Sequence, residues 1–276
     1  MAEITASLVK DLREKTSAGM MDCKKALVEN NGDFEAAVKW LREKGLAAAA
    51  KRSDRAASQG LIDIKFSEDN QTAVVLELNS ETDFVARNDK FKALLNQLMD
   101  QVLATKPADI ATLEQQAYIG DNTKKIADLV TDAVAVIGEN IVARRFAVVT
   151  TTGTLTSYIH MGGTIGVIVE FSGAIDAGTA KDVAMHVAAS NPNYLDRTQV
   201  PAEELAKEKE IYKQQAANEG KPAAILEKIA EGKLGKYYQE NCLLEQAFIK
   251  DPDKKVKDTI PAGVSIVKFV RYQLGA

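Results

Sequence analysis

Through the first 45 positions apolar residues recur at helical spacing, in three runs. Leu8, Val9 and Leu12 share a stripe behind Thr5, a residue able to cap, until Ser17-Ala18-Gly19 interrupts them. Met20, Met21, Cys23, Ala26 and Leu27 carry a second run to Asn30-Asn31-Gly32, and Asp33 opens a third through Phe34, Ala37, Val38 and Leu41 to Gly45. The pattern predicts a small three-helix bundle, followed over 46–58 by a helical linker. Its Lys51, Arg52 and Arg55 read either as a solvated face or as a phosphate-binding arm. From Gly60 the period falls to two: Ile62, Ile64 and Phe66, a polar turn over 67–71, then Val74, Leu76 and Leu78, a β-hairpin. Helices are predicted over 89–105 and 121–138, and a strand over 141–150. Pro201 opens a charged helix to about residue 218, and Gly220-Lys221-Pro222 breaks it. A second helix with Ile225, Leu226, Ile229, Leu234 and Tyr237 completes an αα-hairpin whose aliphatic seam needs cover from the body or from another chain. A strand over 266–274 follows.

Sliding the chain against itself by 93 residues lays Gly60 on Gly153 and Val74-Val75-Leu76-Glu77-Leu78 on Val167-Ile168-Val169-Glu170-Phe171. The next helices align at a shift of 85, Pro107 on Pro192, so the first copy holds eight extra residues between second strand and helix. They fall within 79–89, NSETDFVARND. An excess in one of two related units is a natural place for a site, because the repeated scaffold supplies rigidity. Thr82 and Asp83 could cap the following helix. Phe84 reads either as a hydrophobic staple folded onto that helix or as an exposed aromatic anchor beside a carboxylate, able to insert into a partner.

Met20 and Met21, about 100° apart on a helix, cannot both fill a narrow buried stripe, so one is expected at the surface as core filler's alternative, an adaptable docking side chain. His160, beside Met161-Gly162-Gly163, lacks the companions of a metal site or triad and reads as either a docking hydrogen-bonder or a solvated hairpin end; His186 reads as structural. No phosphate-loop or nucleophile-elbow motif occurs, and no catalytic constellation, cofactor site or metal site is expected.

Composition narrows the classes. With 35 Lys+Arg against 39 Asp+Glu and a net charge of −4, the chain has no broadly basic surface, so nucleic acid is not expected as a partner. Cys23 and Cys242 lie far apart outside any ligand motif and read as buried apolar side chains. Charges in the first 15 residues argue against a secretory signal, and the uncharged stretch 146–169 has eleven Thr, Ser or Gly among its 24 residues, unlike a membrane span. A cytoplasmic, membrane-free, multi-domain protein is expected.

The motifs Leu12-Arg13, TSAGMMDCKK over 16–25, Thr82-Asp83-Phe84-Val85-Ala86, Gly138-Glu139-Asn140-Ile141 and Ala184-Met185-His186-Val187-Ala188-Ala189 together resemble the bacterial elongation factor Ts family, nearly end to end. The resemblance implies an α+β fold: an N-terminal three-helix, ubiquitin-associated-like domain and linker over 1–54; two related β-hairpin/helix core units over 55–150 and 151–200, the second resuming at 251–276; and an inserted helical hairpin over 201–250 used in homodimerisation. It implies a guanine nucleotide exchange factor with no covalent chemistry, whose partner is the GTPase elongation factor Tu with its GDP and Mg²⁺. Thr82, Asp83, Phe84 and Val85 would enter near that Mg²⁺ and dislodge it, Leu12, Met20 and Met21 would hold a helix of the nucleotide domain, and His160 would face a more distant domain. Some relatives continue into a further C-terminal helix where this chain stops at Gly275-Ala276. The competing reading is a non-catalytic adaptor that binds through the three-helix domain.

Overall fold

The computed structural model describes residues 4–16 and 18–276. It mixes helix and sheet in an α+β arrangement. Helices α1 (Ala6–Thr16), α2 (Met20–Glu29) and α3 (Phe34–Ala50) close around Val9, Leu12, Cys23, Ala26, Leu27 and Ala37. Thr5 caps the first, its Oγ1 accepting from Leu8 N–H at 3.2 Å, and Asp33 caps the third through Ala36 N–H at 2.9 Å. Of the expected break between α1 and α2, Ser17 lies outside the described residues.

Then come β1 (Gln59–Phe66), β2 (Thr72–Ser80), the single turn α4 (Asp83–Ala86), α5 (Asp89–Thr105), α6 (Ile110–Gln115), β3 (Ala117–Tyr118), β4 (Asp121–Lys125), α7 (Ile126–Ile137) and β5 (Val142–Thr150). The rest comprises β6 (Thr154–His160), β7 (Ile165–Phe171), α8 (Ala177–Ser190), α9 (Ala202–Asn218), α10 (Leu226–Asn241), β8 (Ala247–Phe248), β9 (Asp251–Lys255) and β10 (Ile266–Gln273). Two antiparallel sheets of identical connectivity result, β1-β2-β5 and β6-β7-β10, each with its hairpin's second strand in the centre.

The sheets pack face to face. On β2, Val74, Leu76 and Leu78 point to α5 and α7, while Ala73 and Val75 meet Ile168 of β7 together with Ile62 and Val149. On β7, Val167, Val169 and Phe171 turn to α8. Both central strands are therefore buried on two faces, which is why they read as continuous apolar runs rather than alternating ones. Ile62 N–H donates to Gly163 O at 2.8 Å across the junction. Gly60 and Gly153, equivalent under the 93-residue shift, occupy places where a Cβ would collide with the carbonyl oxygens of Leu78 and Phe171 respectively.

Three sequence expectations change. First, α3 does not end at Gly45 but runs to Ala50; Gly45 is buried inside the helix, where a Cβ would stand 3.3 Å from the Ala135 methyl, so this glycine allows α3 to cross α7 closely. Arg42 Nη2 donates to Asp128 Oδ1 at 2.7 Å at the same crossing. Second, the helix expected from residue 121 begins at Ile126, because Asp121 Oδ1 accepts from both Thr123 N–H (3.1 Å) and Thr123 Oγ1 (2.6 Å), a local turn that competes with helix. Third, the repeat reaches further than the hairpins: Ala117-Tyr118-Ile119 and Ala247-Phe248-Ile249 each open a two-stranded ribbon that ends at Lys125 or Lys255. In both, the Lys backbone N–H donates to the Asp three residues on, at 2.9 and 3.1 Å. The shift is now 130, so the hairpin α9–α10 is an insertion between α8 and this ribbon.

The extended repeat explains His186. In the first copy buried Gln101 accepts from Ile119 N–H at 2.9 Å and donates to Gln116 Oε1 at 3.0 Å. In the second, buried His186 takes the same two bonds: Nδ1 accepts from Ile249 N–H at 3.2 Å and Nε2 lies 2.9 Å from Gln246 Oε1. A backbone N–H can only donate, so His186 is neutral with its proton on Nε2. Burial holds its pKa below the ordinary 6.5. Below that pH the unfolded chain binds a proton that the native chain refuses, so acidification costs up to about 1.4 kcal/mol of stability per pH unit until the lowered native pKa is reached. His186→Gln restores the residue of the other copy. We expect it to fold and to flatten the loss of stability between pH 7 and pH 5 in urea titrations; an unchanged pH profile contradicts this assignment.

Candidate functional site

The excess residues of the first unit form a short projection at the end of β2. Ser80, the last strand residue, pairs with Gln59, and its Oγ donates to Thr82 O at 2.9 Å. Thr82 stands at the N-terminal boundary of α4 but caps nothing. Its N–H donates to Glu139 Oε2 at 3.0 Å and its Oγ1 to Glu139 Oε1 at 2.6 Å. Neighbouring Glu81 accepts Asn140 N–H at 2.7 Å and faces Arg55 at 3.4 Å. Asn140 in turn donates through Nδ2 to Arg55 O at 2.8 Å. The link between α7 and β5 thus grips the projection from one side, and the strap leaving α3 is tied into the same knot.

On this base α4 divides its side chains sharply. Val85 and Ala86 are buried, Val85 in the core beneath, whereas Phe84 is 77 % exposed and Asp83 faces solvent with Arg87 at 3.5 Å. The staple reading of Phe84 fails on that exposure. The cap of α5 is Asn88, whose side chain accepts from Lys90 N–H at 2.8 Å, so neither Thr82 nor Asp83 has that duty. A largely exposed phenyl ring on a one-turn helix anchored at its root is an apolar probe, unusual for a large aromatic at a free surface.

A second projection lies at the same end of the sheets. His160 closes β6; its Nδ1 is 3.0 Å from Tyr158 Oη, and the turn Met161-Gly162-Gly163 uses φ of 45°, 66° and 108°. Met161 is 77 % exposed. Because Gly163 O bonds Ile62, this turn sits beside β1 only three residues, about 10 Å of strand, from the level of Gln59 and Ser80.

On the helical bundle Met20 and Met21 are both exposed, at 57 and 74 %, and Val28, two turns further along α2, is exposed at 54 %. Asp22 ties α2 to Lys44 of α3 at 2.6 Å, and the exposed Lys24 and Lys25 stand one turn on from the two methionines. Leu12, expected on the same partner-binding surface, is completely buried in the three-helix core, because its stripe is the one that closes on Cys23 and Leu27. The motif Gly138-Glu139-Asn140, already singled out by the family resemblance, has a structural role that sequence reading did not assign: it grips residues 81 and 82. Its wide separation from residue 82 hides the contact.

Among the described residues no group of three His, Cys, Asp or Glu side chains converges as a metal site would require, and no helix is long and apolar enough to cross a membrane. A groove of about 370 Å³ between α3 and α7 is lined by mixed charges such as Lys15, Arg42, Lys124, Asp128 and Asp132.

A model of the family described as Elongation factor TS matches residues 81–276, starting at the residue before Thr82. The chain belongs to the elongation factor TS family. Membership implies a role in translation elongation and an exchange factor's work rather than covalent catalysis, with elongation factor Tu as the partner the family implies. The match takes in the projection, its Glu139 anchor and the whole second sheet with its inserted hairpin.

The burial pattern separates probe from scaffold in this elongation factor TS family member. Phe84→Ala is expected to leave stability within about 0.5 kcal/mol of the parent, as surface truncations do, whereas Leu12→Ala costs about 2–5 kcal/mol. Thermal and urea denaturation measure both, and a destabilised Phe84→Ala chain would show that the ring packs on its own fold.

Proposed function

We propose that this protein binds elongation factor Tu in its GDP form and speeds GDP release by pushing the projection 82–85 against the Mg²⁺ and nucleotide site. The reading rests on one observation: Phe84, 77 % exposed, stands on a turn whose root is hydrogen-bonded into the fold. A rigid aromatic probe loses little conformational entropy on insertion, so its contact energy is available to distort the partner. Asp83 beside it brings negative charge to the neighbourhood of a bound cation and phosphates. Thr82 and Val85 set the probe's footing from the two ends of the turn.

Exchange then follows from linkage. If this chain and GDP with Mg²⁺ each weaken the other's hold on the GTPase, both affinities drop by one factor and the nucleotide leaves from a ternary complex. Tenfold acceleration requires about 1.4 kcal/mol of differential stabilisation, within the reach of one inserted ring and one lost metal contact. The three-helix, ubiquitin-associated-like bundle supplies the grip through Met20 and Met21, and the second projection, with His160 and Met161, meets a separate domain of the same partner. Complex formation takes place in the cytoplasm. The inserted hairpin, with Ile211 and Ile225 exposed, serves self-association.

Release of a fluorescent GDP analogue from elongation factor Tu, followed by stopped flow, tests the proposal. Phe84→Ala should slow stimulated release by about tenfold, equivalent to about 1.4 kcal/mol, while still binding the GTPase. Release at the parental rate would remove Phe84 from the mechanism. Release that is slow with the parent protein as well, despite tight binding, would favour the adaptor reading.

A further inference from the structure

The two sheets are built alike, but they close differently at the end where the probe stands. In the second unit the position equivalent to Asn79 is Ser172, and it simply pairs with Ser265: Ser172 N–H donates to Ser265 O at 2.9 Å and Ser265 N–H to Ser172 Oγ at 2.9 Å. No extra turn follows and no carboxylate is present at the closure. In the first unit the extra residues come together with a polar clamp, Glu139 on Thr82 and Glu81 on Asn140. Insert and clamp occur in the same copy and are absent together from the other.

Glu139 is placed to do one thing. It follows Gly138, whose left-handed φ of 89° ends α7 and turns the chain toward β2. Both its oxygens are spent on Thr82, one on the backbone and one on the hydroxyl, and these two bonds fix both the position and the rotation of the residue two before Phe84. Charge-assisted bonds of this kind are stronger than neutral ones. Without them the turn would still be held below by Val85, but its outer edge, which carries Phe84, could rotate.

Resting on the exchange reading above, we propose that Glu139 is a positioning residue for Phe84: it preorganises the projection so that the ring enters the GTPase without first being ordered. Its effect belongs to the rate at saturation more than to encounter, since Glu139 is itself turned inward to Thr82.

GDP release from elongation factor Tu, measured as a function of exchange-factor concentration, tests this with the full chain carrying Glu139→Ala, Glu139→Gln, Phe84→Ala and the double substitution Phe84→Ala/Glu139→Ala. Glu139→Ala should lower the maximal release rate by about tenfold, the size expected for losing a charge-assisted pair of bonds, with a much smaller change in the half-saturating concentration. Glu139→Gln, which keeps an acceptor for Thr82 N–H, should recover part of that loss. In the Phe84→Ala background Glu139→Ala should do nothing further, because the two changes remove one function. Full activity of Glu139→Ala alongside a slow Phe84→Ala overturns the positioning role and leaves the exchange reading standing. An additional tenfold loss in the double variant overturns it too, since Glu139 would then act elsewhere. A Phe84→Ala chain that exchanges normally removes the ring from the mechanism and overturns the role of Glu139 with it, whereas a parent chain that does not speed GDP release at all defeats the exchange reading itself. Should Glu139→Ala fail to fold, Glu139→Gln and Thr82→Val, which both weaken the hydroxyl bond and leave Thr82 N–H an acceptor, carry the same comparison with a smaller expected loss.

Discussion

The architecture depends on the contact between two similar three-stranded sheets. At the centre of that contact is a dry patch of Ile62, Ala73, Val75, Val149 and Ile168, and at its edge a buried carboxylate, Glu77. A bulge in β5 brings Arg144 as well as Arg145 opposite this residue, and Arg145 Nε bonds Glu77 Oε2 at 2.7 Å. The other oxygen accepts Asn79 Nδ2 at 3.1 Å and Gly275 N–H at 3.0 Å, while Arg145 lies over the Tyr272 ring at 4.4 Å and donates to Gln273 O at 2.8 Å. One carboxyl group thus joins β2, β5 and the end of β10. Glu77 is buried while Arg145 keeps about a third of its side chain in solvent, so the pair contributes little net energy, but sliding one sheet across the other would leave the buried carboxylate without its partners and is penalised for that reason. Both projections emerge from the end of the molecule that Glu77 locks, so their relative placement inherits that rigidity.

Seen as a duplicated unit, the molecule shows where additions are tolerated. The first copy is enlarged between its second strand and its helix, giving the projection; the second is enlarged between its helix and its small ribbon, giving α9 and α10. Each addition is fastened at its root. The projection has Glu139 and Asn140, and the hairpin has Tyr194 and Tyr237, whose hydroxyls both donate to Glu204 and hold its carboxyl below the usual range. Cross-hairpin pairs of Lys209 and Lys213 with Glu227 then keep the two helices together. The scaffold between the additions keeps its bulges at equivalent positions, opposite Glu77–Leu78 in one sheet and at Ile266–Lys268 in the other.

Most of this scaffold was legible from spacing alone. Periods of 3.6 and 2 placed the helices and the paired strands because burial on one face or two imposes those patterns. The 93-residue shift exposed the duplication, and Gly60 and Gly153 proved to mark the same steric constraint. Errors arose where a local signal carried two meanings. Gly45 has the composition of a helix stop, yet inside a packed crossing it is a contact point. The run from Asp121 has helical hydrophobicity only from Ile126 on, and the side chain of Asp121 satisfies a turn before it. Met20 and Met21 were separated by the geometry of a single helix, but both stay outside because the bundle's core is filled by Cys23, Ala26 and Leu27.

Sequence by itself determined the three-helix start, the duplicated sheets, the extra segment in one copy and the motifs that point to the elongation factor TS family. All of these are periodicities or local chemistry, written in neighbouring residues. Tertiary structure alone decided that Leu12 is core, that Phe84 stands free, and that Glu139, 57 positions from Thr82, holds it in place. Exposure and long-range polar pairing depend on which surfaces meet after the chain has closed, and no window along the sequence contains both sides of such a contact.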